Sequence, residues 1–151
     1  MEPQFPVYTA ALAAFLLILQ LSLMLTVGFA RARTGVFLGE DGTADLQRLI
    51  RRHANLAENS GLFLAAIAIL EIALGQSAWV AALAGGFALA RTLHAGAFLS
   101  LAGSHGEDLT GGRKAFAGMR FLGAMGTALT GVVLAGALVT QVVGPAFGSF
   151  G

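Results

Sequence analysis

Long apolar runs without charge alternate with short polar stretches along this chain. Residues 7–30, 72–90 and 121–151 carry no charged side chain over 24, 19 and 31 positions, and Gly75-Gln76-Ser77 interrupts only the second run. About 20 apolar residues in a helix cross the hydrocarbon core of a bilayer. The pattern therefore predicts an integral membrane protein.

Polar stretches and turn residues divide the apolar runs into helices. We expect four of them, at about residues 6–30, 44–74, 78–101 and 113–143. Thr43 is a candidate N-cap for the second helix, residues 75–77 are long enough only for an antiparallel hairpin, and Gly144-Pro145 is expected to end the fourth helix. Residues 1–151 thus predict one all-α domain, a four-helix bundle with up-down-up-down topology.

The basic residues indicate the orientation. Eight of the nine lysines and arginines lie on or near the two longer loops, and Arg91 is the exception. The positive-inside rule places these loops in the cytoplasm and both termini on the opposite side. The first run is longer than the apolar core of a signal peptide and follows no basic stretch, so we expect it to be a retained helix. The Ala/Gly-rich helices fit a bacterial inner membrane.

Composition excludes several classes of function. The net charge is only +1 and no basic tract is interleaved with aromatic residues, which argues against nucleic acid as a partner. The chain has no cysteine, so it offers neither disulfides nor a thiol nucleophile. Its three histidines lack partners at metal-ligand spacing, so we expect no metal.

Scarce polar residues gather on one face of the second helix and one face of the third. On the second helix the face consists of Arg48, Arg51, Asn55 and Glu58; on the third it consists of Arg91, His94 and Phe98. In an antiparallel pair that turns at residues 75–77, Glu58 and His94 lie at equal depth, and Arg91 lies level with about Gly61. The two faces therefore offer polar groups to each other.

Energy limits what these charges can face. A charged residue at the centre of a membrane helix costs about 2.5–3.5 kcal/mol, so we expect the charges to face the bundle interior, another subunit or a watery cleft. Internal ion pairs are one explanation. A ligand site is the other, because arginine forks bind carboxylates, a glutamate binds an ammonium group and an asparagine bridges a peptide amide. A ligand with two carboxylates, one amino group and peptide bonds fits this set.

Two further features predict packing. Small residues recur at four-residue spacing, as Ala82, Gly86 and Ala90 on the third helix and as Thr127, Gly131 and Ala135 on the fourth, which favours close approach of helices in lipid. Glu71 lies near the non-cytoplasmic end of the second helix, where an interfacial position explains a carboxylate.

The polar motifs resemble those of the MAPEG family, the membrane-associated proteins of eicosanoid and glutathione metabolism. The likeness rests on Arg51-x-His53-x-Asn55-x-x-Glu58 followed by Leu62-Phe63, on Arg31 at the end of helix one, and on Arg91-x-x-His94-x-x-x-Phe98. It covers essentially the whole chain, including the four helices and the polar loops on one side.

The resemblance implies a homotrimer that binds glutathione, as a co-substrate, between neighbouring subunits, with a lipophilic small molecule as second substrate. Arg51, Asn55 and Glu58 would hold the charged ends and backbone of the peptide. The resemblance places four further residues along the same cleft: Arg31, Arg91, His94 and Phe98. Arg120 would stabilise the thiolate, with Arg113 as second candidate. The implied activity is that of a membrane glutathione transferase, with possible peroxidase activity toward lipid hydroperoxides.

The chain departs from the family pattern at four positions. Asn59 stands where many relatives have tyrosine and Gly61 where proline is usual, Phe98 replaces a tyrosine that contacts glutathione, and Ala124 lies near another familiar tyrosine position. The missing hydroxyl groups leave open a non-catalytic lipid-binding or scaffold protein of the same fold. A small transporter that uses Glu58 and Arg91 is a third hypothesis, although the sequence shows no broken helices or inverted halves.

Overall fold

The computed structural model describes residues 5–39, 43–99 and 113–148, and every regular element in these ranges is helical. The helices are α1 Val7–Thr34, α2 Ala44–Leu74, α3 Ala78–Ala97 and α4 Arg113–Ala137. The last continues without a break through a π-helical segment, Leu138–Val143, into the short helix α5, Gly144–Gly148. The predicted all-α bundle is confirmed.

Contacts between successive helices show that they run antiparallel. Thr9 near the start of α1 contacts Glu71 near the end of α2, whereas Thr26 further along α1 contacts Arg52 near the start of α2. The turn at residues 75–77 folds α3 back along α2. At what we call the loop end of the bundle, α1 and α3 finish and α2 and α4 begin. The up-down-up-down topology follows from these contacts.

Local signals determine where α2 and α3 begin. The Thr43 side chain accepts a hydrogen bond from the Leu46 backbone N–H at 3.4 Å, and Ser77 accepts one from Val80 at 3.4 Å. Both are N-caps, which satisfy backbone donors that the helix itself leaves free. Gly75 has a φ of 74°, a value that favours glycine, and it ends α2. The predicted cap and hairpin are confirmed.

Two predicted helix ends differ from the observed ends by four residues. Helix α1 reaches Thr34 rather than residue 30, because Gly35 adopts a left-handed φ of 73° and its N–H bonds the carbonyl of Arg31. Helix α3 ends at Ala97 rather than residue 101. There the N–H of Phe98 reaches the Ala95 carbonyl only three residues back, a tighter turn that closes the helix.

The expected end of the fourth helix at residue 143 is also wrong. Gly144 keeps right-handed helical angles, and its N–H bonds the carbonyl of Val139, five residues back. Pro145 has no N–H, and proline is tolerated in the first turn of a helix. The wider π turn starts a new helical segment in which Pro145 occupies such a position, so the chain stays helical to Gly148.

The bundle has the surface of a membrane protein. Three segments are long and apolar enough to cross a bilayer: Val7–Thr34, Ala44–Leu74 and Lys114–Phe147. The 20 residues of α3 extend about 30 Å at 1.5 Å per residue, which matches the same thickness. Leu17, Ile18 and Phe29 on α1 are 62–72% exposed. Such a continuous apolar exterior is unusual for a protein surrounded by water.

Helices α3 and α4 approach each other most closely at Gly123. A Cβ atom on Gly123 would lie 2.5 Å from the backbone nitrogen of His94 and 2.8 Å from the carbonyl oxygen of Ala90. One turn further, a Cβ atom on Gly126 would lie 3.0 Å from the Ala90 methyl group. Of the predicted small-residue ridge on α4, Gly131 instead faces the Phe63 ring of α2, where an added Cβ atom would lie 3.1 Å from the ring. The close approach therefore lies nearer the loop end than the sequence pattern indicated.

We expect Gly123→Ala to lower the stability of the protein by about 2 kcal/mol, because the added methyl group forces two helix backbones apart. Gly136→Ala on the same helix is the control, since its Cβ would meet nothing within 4 Å. Alanine is the better helix former, so the control should melt at the wild-type temperature or slightly above it. Thermal unfolding in detergent measures both, and equal melting temperatures would contradict the close approach.

Glu71 is buried at the opposite end of the bundle. Its side chain is 1% exposed, and its carboxylate accepts bonds from the backbone N–H groups of Tyr8 and Thr9, at 2.9 and 2.8 Å, and from the Thr9 hydroxyl at 2.7 Å. Helix α1 begins after Pro6, which provides no side-chain cap. The carboxylate of α2 therefore caps α1, where the helix dipole favours negative charge. The sequence pattern did not indicate this capping role, because Thr9 lies 62 residues away in sequence.

Replacing Glu71 should destabilise the first turn of α1. We expect Glu71→Ala to lower the free energy of unfolding by about 2 kcal/mol or more, since charge-assisted hydrogen bonds are lost and donors stay buried. Glu71→Gln retains an oxygen acceptor without the charge and should fall between alanine and wild type. Glu58→Ala is the control, because Glu58 is exposed and bonds no other described residue. Hydrogen exchange at the first turn of α1 should rise most in Glu71→Ala, less in Glu71→Gln and not in Glu58→Ala.

Candidate functional site

A cavity of about 270 Å³ opens near the loop end between α2, α3 and α4. Its walls are formed by Gln47, Arg48, Arg51, Asn55, Glu58, His94, Phe98 and Arg120. Six of the eight residues expected at the site from sequence and resemblance are in this set. The cavity therefore joins the polar faces of α2 and α3 with the arginine of α4.

The α2 wall carries charge at both of its ends. Arg51 and Glu58 are seven residues apart, which separates them by about 10.5 Å along the helix axis. Neither forms a hydrogen bond or an ion pair with another residue in the described ranges. Internal ion pairing, one of the two explanations for the polar stripe, therefore does not account for these two side chains.

The α3 wall places two rings beside the α4 arginine. His94 and Phe98 are 7% exposed each, and their ring centroids lie 5.1 Å apart. The guanidinium carbon of Arg120 lies 5.3 Å from the centroid of the Phe98 ring, within the range of a cation–π interaction. Arg120 precedes Gly123 by one turn, so the close approach of α4 to α3 carries this guanidinium to the cavity.

Arg48 supports the cavity at the end of α3. It donates a hydrogen bond to the carbonyl oxygen of Phe98, the C-cap of α3, and another to Asp45 at 3.1 Å. A cation at a helix C-terminus is favourable because the last carbonyls lack partners. Arg48 and Gln47 were absent from the expected binding residues. Arg48 and Gln47 precede Arg51 by three and four residues, which places them on the same helix face. That spacing was the sequence feature that could have identified them.

Arg91 lies behind the cavity wall. It is 2% exposed, donates to the side-chain oxygen of Asn55, and donates to the Thr127 hydroxyl at 3.1 Å. We expected Arg91 to lie level with about Gly61. Its long side chain carries the guanidinium group nearer the loop end, to Asn55. Thr127 was expected only as one of the small residues that favour close helix packing, and its hydrogen bond to Arg91 was not anticipated.

One further arginine expected at the site does not line the cavity of its own chain. Arg31, expected along the cleft, donates instead to the Val36 carbonyl at 3.0 Å in the segment that follows α1. The side chain of Arg113, the second thiolate candidate, lies outside the described part of the chain. The cavity of the single chain therefore contains Arg48, Arg51 and Arg120 as its cationic groups.

The arrangement favours a ligand that is anionic overall and carries one cationic group. Among the described residues, three guanidinium groups and the carboxylate of Glu58 line the cavity. Guanidinium forks match carboxylates in geometry, and a carboxylate binds ammonium. Among the residues that the structure describes, no group of three histidine, aspartate or glutamate side chains is placed to hold a metal ion.

Comparison with known proteins identifies the family. The model of the MAPEG family matches residues 9–140, which run from the first turns of α1 into the π-helical segment. The chain belongs to the MAPEG family. No curated protein and no solved structure gives a significant match. MAPEG membership agrees with the three apolar spanning helices, and the motif residues Arg51, Asn55 and Glu58 all lie on the cavity wall.

Proposed function

We propose that this MAPEG protein is a membrane-bound glutathione transferase, which joins the thiolate of glutathione to small lipophilic electrophiles. The observation that supports the proposal most is the pair of charged groups at the two ends of the cavity. Arg51 and Glu58 face one space and keep their full capacity for ion pairing, which suits a zwitterionic peptide. A bundle that used them only for internal stability would pair them.

Glutathione matches the cavity in charge and in length. It carries two carboxylates and one ammonium group, and the described residues of the walls carry three guanidinium groups and one carboxylate. An extended tripeptide measures about 10 Å, close to the axial separation of Arg51 and Glu58. In our proposal the ammonium group binds Glu58 and a carboxylate binds Arg51 and Arg48. The central cysteine then lies between the two ends, on the side of Arg120.

Arg120 is the proposed thiolate stabiliser. A free thiol has a pKa of about 8.5 and is largely protonated at pH 7, and only the thiolate attacks. A guanidinium group beside the sulfur favours the anion, more so where water is excluded. The sulfur then forms a bond to carbon of the electrophile, and a leaving group departs with its electron pair or an activated alkene takes up a proton.

Lipid hydroperoxides are a second proposed substrate class for the same thiolate. The sulfur attacks the terminal peroxide oxygen, the O–O bond breaks and the lipid alcohol leaves. A second glutathione thiol then displaces water from the oxidised sulfur, which gives glutathione disulfide. This sequence balances two thiols oxidised against one peroxide reduced, and it requires no group on the protein beyond those that bind glutathione.

The proposed assembly is a homotrimer with the site between subunits. A cavity of about 270 Å³ is slightly smaller than the roughly 300–1,000 Å³ of typical ligand pockets, which is consistent with a wall supplied by a neighbour. Arg31, which lies outside the cavity of its own chain, is the group we propose for that wall. We further propose that the loop end faces the cytoplasm of a bacterial inner membrane, in agreement with its basic residues.

Glutathione binding to the detergent-purified protein tests the proposal directly. We expect saturable binding that weakens roughly tenfold to a hundredfold in Arg51→Ala and in Glu58→Ala, because each variant loses hydrogen bonds to a charged group. Arg33→Ala, exposed on α1 and away from the cavity, should bind as wild type does. Equal affinity in all four proteins would reject this cavity as the glutathione site.

The ultraviolet absorbance of bound thiolate tests the role of Arg120. At pH 7 we expect a thiolate signal in the wild type that drops at least roughly tenfold in Arg120→Ala, because the opposite charge that lowers the thiol pKa is gone. Arg120→Lys keeps the charge and should retain part of the signal. A full signal in Arg120→Ala would reject Arg120 as the thiolate stabiliser.

Binding of glutathione without turnover of any electrophile or peroxide would favour the non-catalytic alternative. The structural argument for that alternative is Phe98, which lacks the hydroxyl group of a tyrosine.

A further inference from the structure

Arg91 is a buried cation whose acceptors are all neutral. Its guanidinium group donates to the side-chain oxygen of Asn55, to the Asn55 backbone carbonyl at 3.4 Å and to the Thr127 hydroxyl at 3.1 Å. No carboxylate in the described ranges pairs with it. The side chain is 2% exposed and lies behind the cavity wall, so it touches the site only through Asn55.

The direction of each hydrogen bond in this group is determined by chemistry. A guanidinium group only donates, so the Asn55 side-chain atom that it contacts must be the amide oxygen. The Thr127 hydroxyl has a single hydrogen, which it donates to the Gly123 carbonyl at 2.8 Å, so it accepts from Arg91. The NH₂ group of Asn55 makes no hydrogen bond within the described chain, and Asn55 lines the cavity.

We propose that Arg91 and Thr127 are positioning residues, which hold the Asn55 amide so that its NH₂ group faces the cavity. Asn55 then acts only as a donor toward a ligand. The site selects a ligand that presents a hydrogen-bond acceptor, a peptide carbonyl or a carboxylate oxygen, between the groups that bind Arg51 and Glu58. This inference rests on the proposed function for the identity of the ligand, but not for the geometry of the bridge.

The charge of Arg91 strengthens this donor. A cation on the oxygen side of an amide draws electron density toward that oxygen, which polarises the N–H bonds on the other branch. In a bundle surrounded by lipid this effect is weakly screened. Thr127 is needed because its hydroxyl group, on α4, accepts a hydrogen bond from the other terminal nitrogen of the guanidinium group. This contact prevents Arg91 from turning away from Asn55.

Variants of Thr127 test the bridge through glutathione binding. Thr127→Val removes the acceptor at nearly constant volume, and we expect the Kd and the KM for glutathione to rise roughly threefold to tenfold while kcat changes less than twofold. Thr127→Ser restores the hydroxyl and should restore the affinity. Thr130→Val is the matched control on α4, since Thr130 also donates to a carbonyl four residues back, that of Gly126, but does not contact Arg91. Wild-type affinity in Thr127→Val would overturn the proposal.

Two substitutions of Asn55 separate positioning of the amide from anchoring of Arg91. Asn55→Asp keeps an oxygen for Arg91 and adds a favourable charge, but removes the NH₂ donor and places an anion at the cavity. We expect Asn55→Asp to bind glutathione no better than Asn55→Ala does, although its melting temperature should equal or exceed that of the wild type. If Asn55→Asp binds as tightly as the wild type, Asn55 serves only to hold Arg91, and the proposal fails.

A measurement without ligand distinguishes this inference from the proposed function. If the wild type binds no glutathione, the proposed function fails, and the bridge is then judged from the melting temperatures of Asn55→Ala, Thr127→Val and the double variant. Residues that share one partner couple non-additively. Through Arg91 we expect the double variant to melt higher than the sum of the two single losses indicates. Additive losses would show that Asn55 and Thr127 are independent and would overturn the positioning role.

Discussion

The hydrogen bonds of Arg91 join three helices of the bundle at one point. The residue belongs to α3, and its guanidinium group binds Asn55 on α2 and Thr127 on α4. A buried cation surrounded by lipid and apolar side chains must find acceptors, because each unsatisfied donor costs free energy. Both acceptors come from neighbouring helices, so the hydrogen bonds form only while Asn55 on α2 and Thr127 on α4 are turned toward α3. Arg91 thereby specifies how α2, α3 and α4 are rotated, and with them the walls of the cavity beside Asn55.

Backbone contact between α3 and α4 supplies the rest of the cavity geometry. At Gly123 the backbones of the two helices are in direct contact, since an added Cβ atom would lie 2.5 Å from the backbone nitrogen of His94. In lipid, packing rather than the hydrophobic effect drives such association. Because Arg120 lies one turn before Gly123, this approach places its guanidinium group over the Phe98 ring. Helix packing and the chemistry of the site therefore depend on the same glycine.

Polar groups act at both ends of the bundle, and apolar packing fills the space between them. At the end away from the loops, Glu71 caps α1 and is fully committed within the chain. At the loop end, Arg51 and Glu58 have no partner among the described residues. By this difference, the carboxylate of Glu71 is structural, whereas that of Glu58 is a candidate binding group. The same difference is the reason why we propose the ligand site at the loop end, where the family motif also lies.

The sequence by itself determined the features that depend on neighbours along the chain: the apolar runs, the cap at Thr43, the turn at residues 75–77 and the single polar face of α2. Helical periodicity places Arg51, Asn55 and Glu58 together whatever else the chain does. Only the tertiary structure decided which polar groups are consumed by other helices, as Glu71 is, and which remain free for a ligand. It also decided that the chain stays helical past Pro145, in α5. These outcomes depend on how the helices cross and rotate against one another. Side-chain shapes at positions far apart in sequence control that packing, and a local sequence pattern does not encode it.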